Sequence, residues 1–195
     1  MNKALFFVLV FLVCSPLYAQ DVTFGLRGGP NFATLGGEEG SIGAKFRVGF
    51  HIGGYASFAI SESLSFEPGL QYSNKGAKGS EGGISSVIRN GYLDLPLLLK
   101  IKSGEKFYLL GGVQPSFLIS PAIVLEENGN KVVVNGSDVS ELWKGFDFAG
   151  VIGLGVEVGA GMHIQTTYEH GFSNISEISE SVYNRGFKLT VGKSF

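Results

Sequence analysis

Cysteine is all but missing from this chain of 195 residues: Cys14 stands alone, beside one Trp and two Met. A framework of internal disulfides is therefore excluded. Charge is sparse as well, 16% of residues, with 15 basic against 17 acidic side chains. A net charge of −2 creates no field that would draw in nucleic acid or an anionic membrane surface, so no nucleic-acid partner is expected. Long hydrophobic runs are also lacking. The single continuous one, residues 4–14, is well short of the roughly 20 residues a spanning helix needs. What is present is 44% hydrophobic residues and 30 Gly, too apolar for a disordered chain and without a collagen period.

The apolar run reads as an address. Lys3 precedes it, and Ser15-Pro16-Leu17-Tyr18-Ala19 follows as a breaker and small-residue exit. This is the layout of a secretory signal peptide, expected over residues 1–19 with cleavage after Ala19. Val13 stands where acylation of Cys14 would require a small residue, which argues against a lipoprotein. Residues 20–195 are then one exported domain without cysteine, stabilised by its core, a closed sheet or a membrane.

Throughout that domain the hydrophobic period is two. Phe46, Val48, Phe50, Ile52, Ala56, Phe58 and Ile60 alternate with Arg47, Gly49, His51, Gly53, Tyr55 and Ser57, the mark of a strand with one apolar and one polar face. The pattern returns around Leu64–Tyr72, Leu93–Ile101, Phe107–Ile119, Phe146–Val158, Met162–Tyr168 and Phe187–Phe195, and with Val22, Phe24 and Leu26 it predicts eight strands. Short turns at 61–63, 103–106 and 159–161 alternate with long polar stretches at 34–45, 74–86, 121–144 and 173–184. Within the third, 122–125 is expected to pair with 131–134 across Asn128-Gly129.

Alternation does not by itself say which face is wet. In a soluble lipocalin-like carrier of a small apolar ligand the apolar row would point inward. Three features favour the opposite sense. Strands of about 11 residues, rising about 3.3 Å each and tilted near 40°, climb about 28 Å, the height of an apolar bilayer band. The apolar rows carry charge only near strand ends, at Arg89, Arg185 and Lys193, as lipid would demand. The polar rows mix both signs with glycine, which makes room for large side chains in a narrow lumen. The expected fold is all-β: an eight-stranded antiparallel up-and-down transmembrane β-barrel, with short periplasmic turns and long extracellular loops.

A barrel of that size has an interior that side chains can fill. Arg47, Glu67, Asp94, Lys100, Asp147, Glu157, Glu169 and Lys188 lie on the polar rows and are expected to form one hydrogen-bonded network, as buried charges must. His51 and His163 face the same lumen and His170 the outside, with no metal-ligand spacing among them. Gly153-x-Gly155-x-x-x-Gly159 imitates a dinucleotide fingerprint, but a turn and another strand follow where a helix is required. Neither cofactor, metal nor catalytic constellation is expected. Tyr72, Tyr168, Phe172 and Tyr183, near strand ends, suit an interfacial girdle, and Tyr55 suits lumen packing. Pro68, Pro96 and Pro115 each remove a ladder donor, which calls for a bulge or an interrupted ladder.

Phe24-Gly25-Leu26-Arg27-Gly28-Gly29, Phe66-Glu67-Pro68-Gly69-Leu70-Gln71-Tyr72, Tyr92-Leu93-Asp94-Leu95-Pro96-Leu97-Leu98-Leu99-Lys100 and Gly153-Leu154-Gly155 together resemble the PorT-like outer-membrane β-barrel family of Gram-negative bacteria. The resemblance runs over essentially the whole mature chain and includes Pro68 and Pro96 in its pattern. It implies a barrel in the bacterial outer membrane, in contact with its lipid and inserted by the barrel-assembly machinery, with terminal Phe195 as the assembly signal. Lys193 departs from the apolar residue usual two places before that end. The expected role is structural or interactive and not enzymatic, with residues 121–144 as the contact surface for an extracellular or secretion-system protein. A small channel or an accessory component of a secretion apparatus is the other membrane reading.

Overall fold

Alternating side chains and glycine-marked turns produce extended structure almost without interruption. The structure, a computed structural model, describes residues 22–37, 44–81, 84–127, 130–178 and 181–195. The expected signal peptide (residues 1–19) and the Asn128-Gly129 turn lie outside the described residues. One antiparallel sheet holds eleven strands. They are β1 Val22–Gly36, β2 Lys45–Ala59, β3 Leu64–Lys75, β4 Ala77–Glu81, β5 Ile84–Asp94, β6 Leu97–Ser103, β7 Phe107–Glu127, β8 Asn130–Asn135, β9 Phe146–Gly159, β10 Met162–Gly171 and β11 Tyr183–Ser194. A single helical turn, α1 (Ser137–Ser140), follows β8.

The sheet closes on itself. β1 pairs with β2 on one side and with β11 on the other, and the ring continues through β3, the β5 and β6 segments, β7, β9 and β10. Closure removes the unpaired edges that an open sheet would expose.

The count differs from the eight strands expected, for two physical reasons. The alternating run 92–101 is split at Leu95-Pro96 into β5 and β6, because proline brings no N–H to the ladder. Its neighbours repair the gap: the Gly69 N–H donates to the Pro96 carbonyl and the Leu95 N–H to the Pro115 carbonyl, both at 2.8 Å. Pro68 pairs opposite Leu97, so all three prolines meet at this one interruption. Second, stretches expected as polar loop continue the ladder. β4 folds back on β5, and β7 runs 21 residues, its last six paired with β8 through Ile123↔Val134 and Leu125↔Val132 in the hairpin expected over 122–125 and 131–134. At about 3.3 Å per residue, β7 is some 70 Å long, far more than a bilayer's apolar thickness. The sheet therefore projects well beyond the band at the loop end. The opposite, turn end is tight; between β9 and β10, Ala160 (φ 51°) and Gly161 (φ 74°) both adopt positive φ, as a two-residue type I′ hairpin requires.

The sidedness is that of a protein turned inside out. Phe24 is 64% exposed and Ile152 65%, and Leu26, Phe50, Leu109, Leu154, Phe187 and Leu189 line the same outer surface. Asp94 and Asp147 are completely enclosed, and Arg27, Arg47, Glu67, Lys75, Glu169 and Lys188 are buried with them. A water-borne carrier would show the reverse, so the lipocalin-like arrangement is excluded. Lys193, on the outer row, reaches the turn end and donates to the Ala160 carbonyl at 2.9 Å. No helix among the described residues is long and apolar enough to cross a membrane; only the strands do.

Outer-row charge is therefore costly at mid-height. Ile152→Arg is expected to destabilise the folded barrel in lipid vesicles by about 2–4 kcal/mol, measured by urea titration, and Val22→Arg near a strand end by less than about 1 kcal/mol.

Candidate functional site

Inward-facing positions from strands on opposite sides of the ring converge on the axis. Lys75 ends β3, Asp94 ends β5, Glu169 lies on β10 and Lys188 on β11. Lys75 Nζ stands 3.1 Å from Asp94 Oδ1 and 3.6 Å from Glu169 Oε2. Lys188 Nζ stands 3.1 Å from Asp94 Oδ2 and also pairs with Glu169 Oε1. These four side chains form an alternating square of charge that spans the lumen. Around it, Lys75 donates to Ser116 Oγ (3.3 Å) and Gln71 to Asp94 (3.4 Å). The Tyr92 ring lies 5.0 Å from the Lys75 ammonium.

Asp147 stands apart from the square. Its Oδ2 accepts from Asn184 Nδ2 at 2.9 Å, and the same amide donates to the Tyr92 hydroxyl at 3.3 Å. A second charged group lies toward the turn end. Lys100 on β6 reaches Glu157 on β9 at 2.9 Å and Glu67 on β3 at 3.7 Å, and its ammonium sits 4.1 Å from the centre of the Tyr108 ring. Arg27 stacks over Tyr55 at 5.1 Å. His51 links the strands between the two groups, with Nδ1 2.6 Å from Asn31 Oδ1 and Nε2 3.0 Å from Thr190 Oγ1.

Seven of the eight expected network residues meet a charged or amide partner here. Arg47 does not: its guanidinium is buried and donates to the Lys75 carbonyl at 3.2 Å. Two buried cations lie outside the expected network: Lys75, in a stretch that reads as polar loop, and Arg27, which the sequence marks only within the Phe24–Gly29 motif. Continuing the inward row 67, 69, 71, 73 by one step would have found Lys75. Among the described residues the inward cations Arg27, Arg47, Lys75, Lys100 and Lys188 equal in number the inward carboxylates Glu67, Asp94, Asp147, Glu157 and Glu169, although Arg27, Arg47 and Asp147 take part in none of the ion pairs. That balance is what low-dielectric burial requires.

Glycine creates the space for the rings. Gly25 lies opposite Tyr55, Gly155 opposite Tyr108 and Gly192 opposite His163. A Cβ on any of them would fall within the facing ring. Tyr55 and Tyr108 are thereby laid flat across their neighbours, with their hydroxyls on Ser194 Oγ (2.8 Å) and Gln165 Oε1 (3.2 Å). On the outer surface, Tyr168 packs at a tilt against Phe187 and His170 against Phe172, and the Tyr168 hydroxyl meets His170 Nδ1 at 3.1 Å. Tyr72 packs against Phe50.

The lumen is closely packed around its charged residues. Two voids that they bound among the described residues measure about 10 Å³ each, close to the least space that one water needs. Above Lys75 the chemistry changes: Leu35, Ala77, Ile175 and Val182 form a small apolar cluster, with Trp143 and Ile88 packed on it. Trp143 is placed there by a bridge to Ser176, flanked by the Lys144 N–H to Ile175 carbonyl bond at 2.8 Å. No group of three or more His, Cys, Asp or Glu among the described residues could hold a metal ion.

Ring-against-glycine packing predicts a contrast between two alanine substitutions. Gly155→Ala, which drives a methyl into Tyr108, should cost about 1–3 kcal/mol in urea-induced unfolding. Gly111→Ala, where an added Cβ meets nothing within 4 Å, should stay within about 0.5 kcal/mol of the parent.

Comparison with known proteins places this geometry. A search of curated proteins finds no match. Among solved structures, Ail, the attachment invasion locus protein of Yersinia pestis, is similar with a TM-score of 0.54 at 13% identity, covering 90% of this chain and 99% of its own. Ail has also been solved in complex with the heparin analogue sucrose octasulfate. Neisserial surface protein A gives a TM-score of 0.45 at 11% identity, over 89% of this chain and 97% of its own. At 13% identity the likeness to Ail is one of fold. The family model described as outer membrane protein beta-barrel domain matches residues 18–177. This chain belongs to that family and resides in the bacterial outer membrane.

Proposed function

We propose that the protein is a non-conducting outer-membrane barrel with a structural or interactive role and no catalytic activity. In this reading the closed ring acts as eight staves, with β5 and β6 as one stave and β4 and β8 as extensions above the membrane. The turn end faces the periplasm and the loop end the exterior. Support comes from the length of β7 and from the placement of β4 and β8 at one end. The observation that carries the non-conducting reading is the void volume of about 10 Å³ between residues of the charged lumen. A hydrated ion needs a continuous water path, and paired lysines and carboxylates fill the space such a path would take.

The finer family assignment, PorT-like, rests on the motifs Glu67-Pro68-Gly69-Leu70 and Tyr92 to Lys100. Those motifs coincide with the proline interruption and with two lumen carboxylates, Glu67 and Asp94. Terminal Phe195, exposed on the outer row with its N–H bonded to the Phe24 carbonyl at 2.8 Å, suits recognition by the barrel-assembly machinery. The β7–β8 projection and α1 are the contact surface for an extracellular or secretion-system partner. Loops on a rigid scaffold are where such contacts reside.

Purified protein in planar bilayers should show no stable single-channel conductance over a range of voltages. A steady conductance, lost when the lumen is blocked by a bulky side chain at Gly153, would replace this reading with a small channel.

A further inference from the structure

The apolar cluster at the loop end surrounds a cavity of about 440 Å³, within the size range of small-molecule sites. Its wall includes Leu35, Ala77, Ile88, Trp143 and Val182, contributed by separate parts of the ring and by the 143–176 bridge. The contrast with the space below is sharp. Lumen voids bounded by Lys75, Asn184 and Lys188 hold about 10 Å³, so whatever enters the cavity stops there. The arrangement is a cup with a sealed floor.

Among the described residues, charge at the cup is one-sided. Lys78 on β4 lines the cavity and takes part in no ion pair among the described residues. Lys45 on β2 is its direct register partner. Like charges opposite each other on adjacent strands repel, and a bound anion would relieve that repulsion. Glu141 and Glu177 are exposed and neighbour Leu142 and Ser176 in the chain, yet neither lines the cavity. Ser86 and Ser176 also line the wall.

From this combination we infer that the cup binds a small amphipathic carboxylate, with its hydrocarbon or aromatic body against Trp143, Ile88 and Val182 and its carboxylate at Lys78. Apolar contact supplies most of the affinity and the ammonium selects the sign of charge. A cation of the same shape would meet Lys78 and Lys45 and be rejected. The barrel then presents a ligand-dependent surface at its outer end without passing the ligand inward, a role independent of whether its lumen conducts.

Trp143 is the chain's one tryptophan, so fluorescence excited selectively at tryptophan, beyond the absorption of the seven tyrosines, reports on this cavity. The full-length mature protein in zwitterionic lipid nanodiscs is titrated with 4-phenylbutanoate and, separately, with 4-phenylbutylammonium. The expected result is a saturable shift of Trp143 emission by the carboxylate, with at least tenfold weaker binding of the ammonium. Lys78→Gln, an exposed substitution, should weaken the carboxylate at least fivefold. Ala77→Phe, which fills the cup, should abolish the saturable response while heat-modifiable gel mobility confirms a folded barrel. If Ala77→Phe does not fold, Val182→Phe serves in its place. Equal binding of both probes, a linear response typical of partitioning into lipid, no response because other parts of the chain fill the cup, or unchanged affinity in Lys78→Gln would each overturn the proposal.

Discussion

An ionised side chain inside a barrel this narrow has no bulk water to turn to, and every other feature of the molecule answers that constraint. Removing one charge from water costs several kcal/mol after relaxation, and only a well-placed opposite charge with further hydrogen bonds offsets it. The square of Lys75, Asp94, Lys188 and Glu169 meets the requirement: Lys75–Asp94 and Lys188–Glu169 join neighbouring strands, whereas Lys75–Glu169 and Lys188–Asp94 cross the lumen between strands that are not neighbours in the sheet. Backbone ladders fix each strand to the next; these contacts fix one wall of the barrel to the other. The apolar outer rows follow from the same division, since a chain with charges inside must place its phenylalanines and leucines against lipid.

Glycine and proline are distributed in accord with this interior. Tyr55, Tyr108 and His163 could not lie across the lumen if Gly25, Gly155 and Gly192 carried side chains. The rings in turn shield Arg27 and Lys100, whose cationic heads rest over their faces at a gain of about 0.5–2 kcal/mol each. The three clustered prolines cost ladder bonds at a single level, where neighbouring N–H groups recover two of the exposed carbonyls. Interruption is thus confined to one place in an otherwise continuous wall.

The sidedness and most of the lumen were legible in the amino-acid order. Period two is a strict geometric consequence of the extended chain, so Phe46 to Ile60 and Met162 to Tyr168 announced their faces without any tertiary information. Partner choice was less legible. Lys188 meets Asp94, 94 positions away, through ring closure, which no local pattern records. Lys75 escaped notice because polar Ser73, Asn74 and Gly76 surround it and imitate a loop, although the inward register passes directly through it. The number of strands was misjudged for a related reason. Outside the bilayer the outer face need not be apolar, so β4 loses the alternation that marks a membrane strand while keeping its ladder bonds, whereas the pairing of β8 with the end of β7 was legible in the apolar residues at 122–125 and 131–134.

A barrel whose two walls are joined by charge should lose far more from one orphaned partner than from the removal of both. The most direct measurement is a double-substitution cycle on Asp94→Leu and Lys188→Met, with unfolding free energies from urea titration in lipid vesicles. Each single change is expected to cost about 3–5 kcal/mol, and the double change to cost less than the two summed by at least about 1.5 kcal/mol. Strictly additive losses would contradict the account, for they would mean that these side chains stabilise the barrel independently and not through one another.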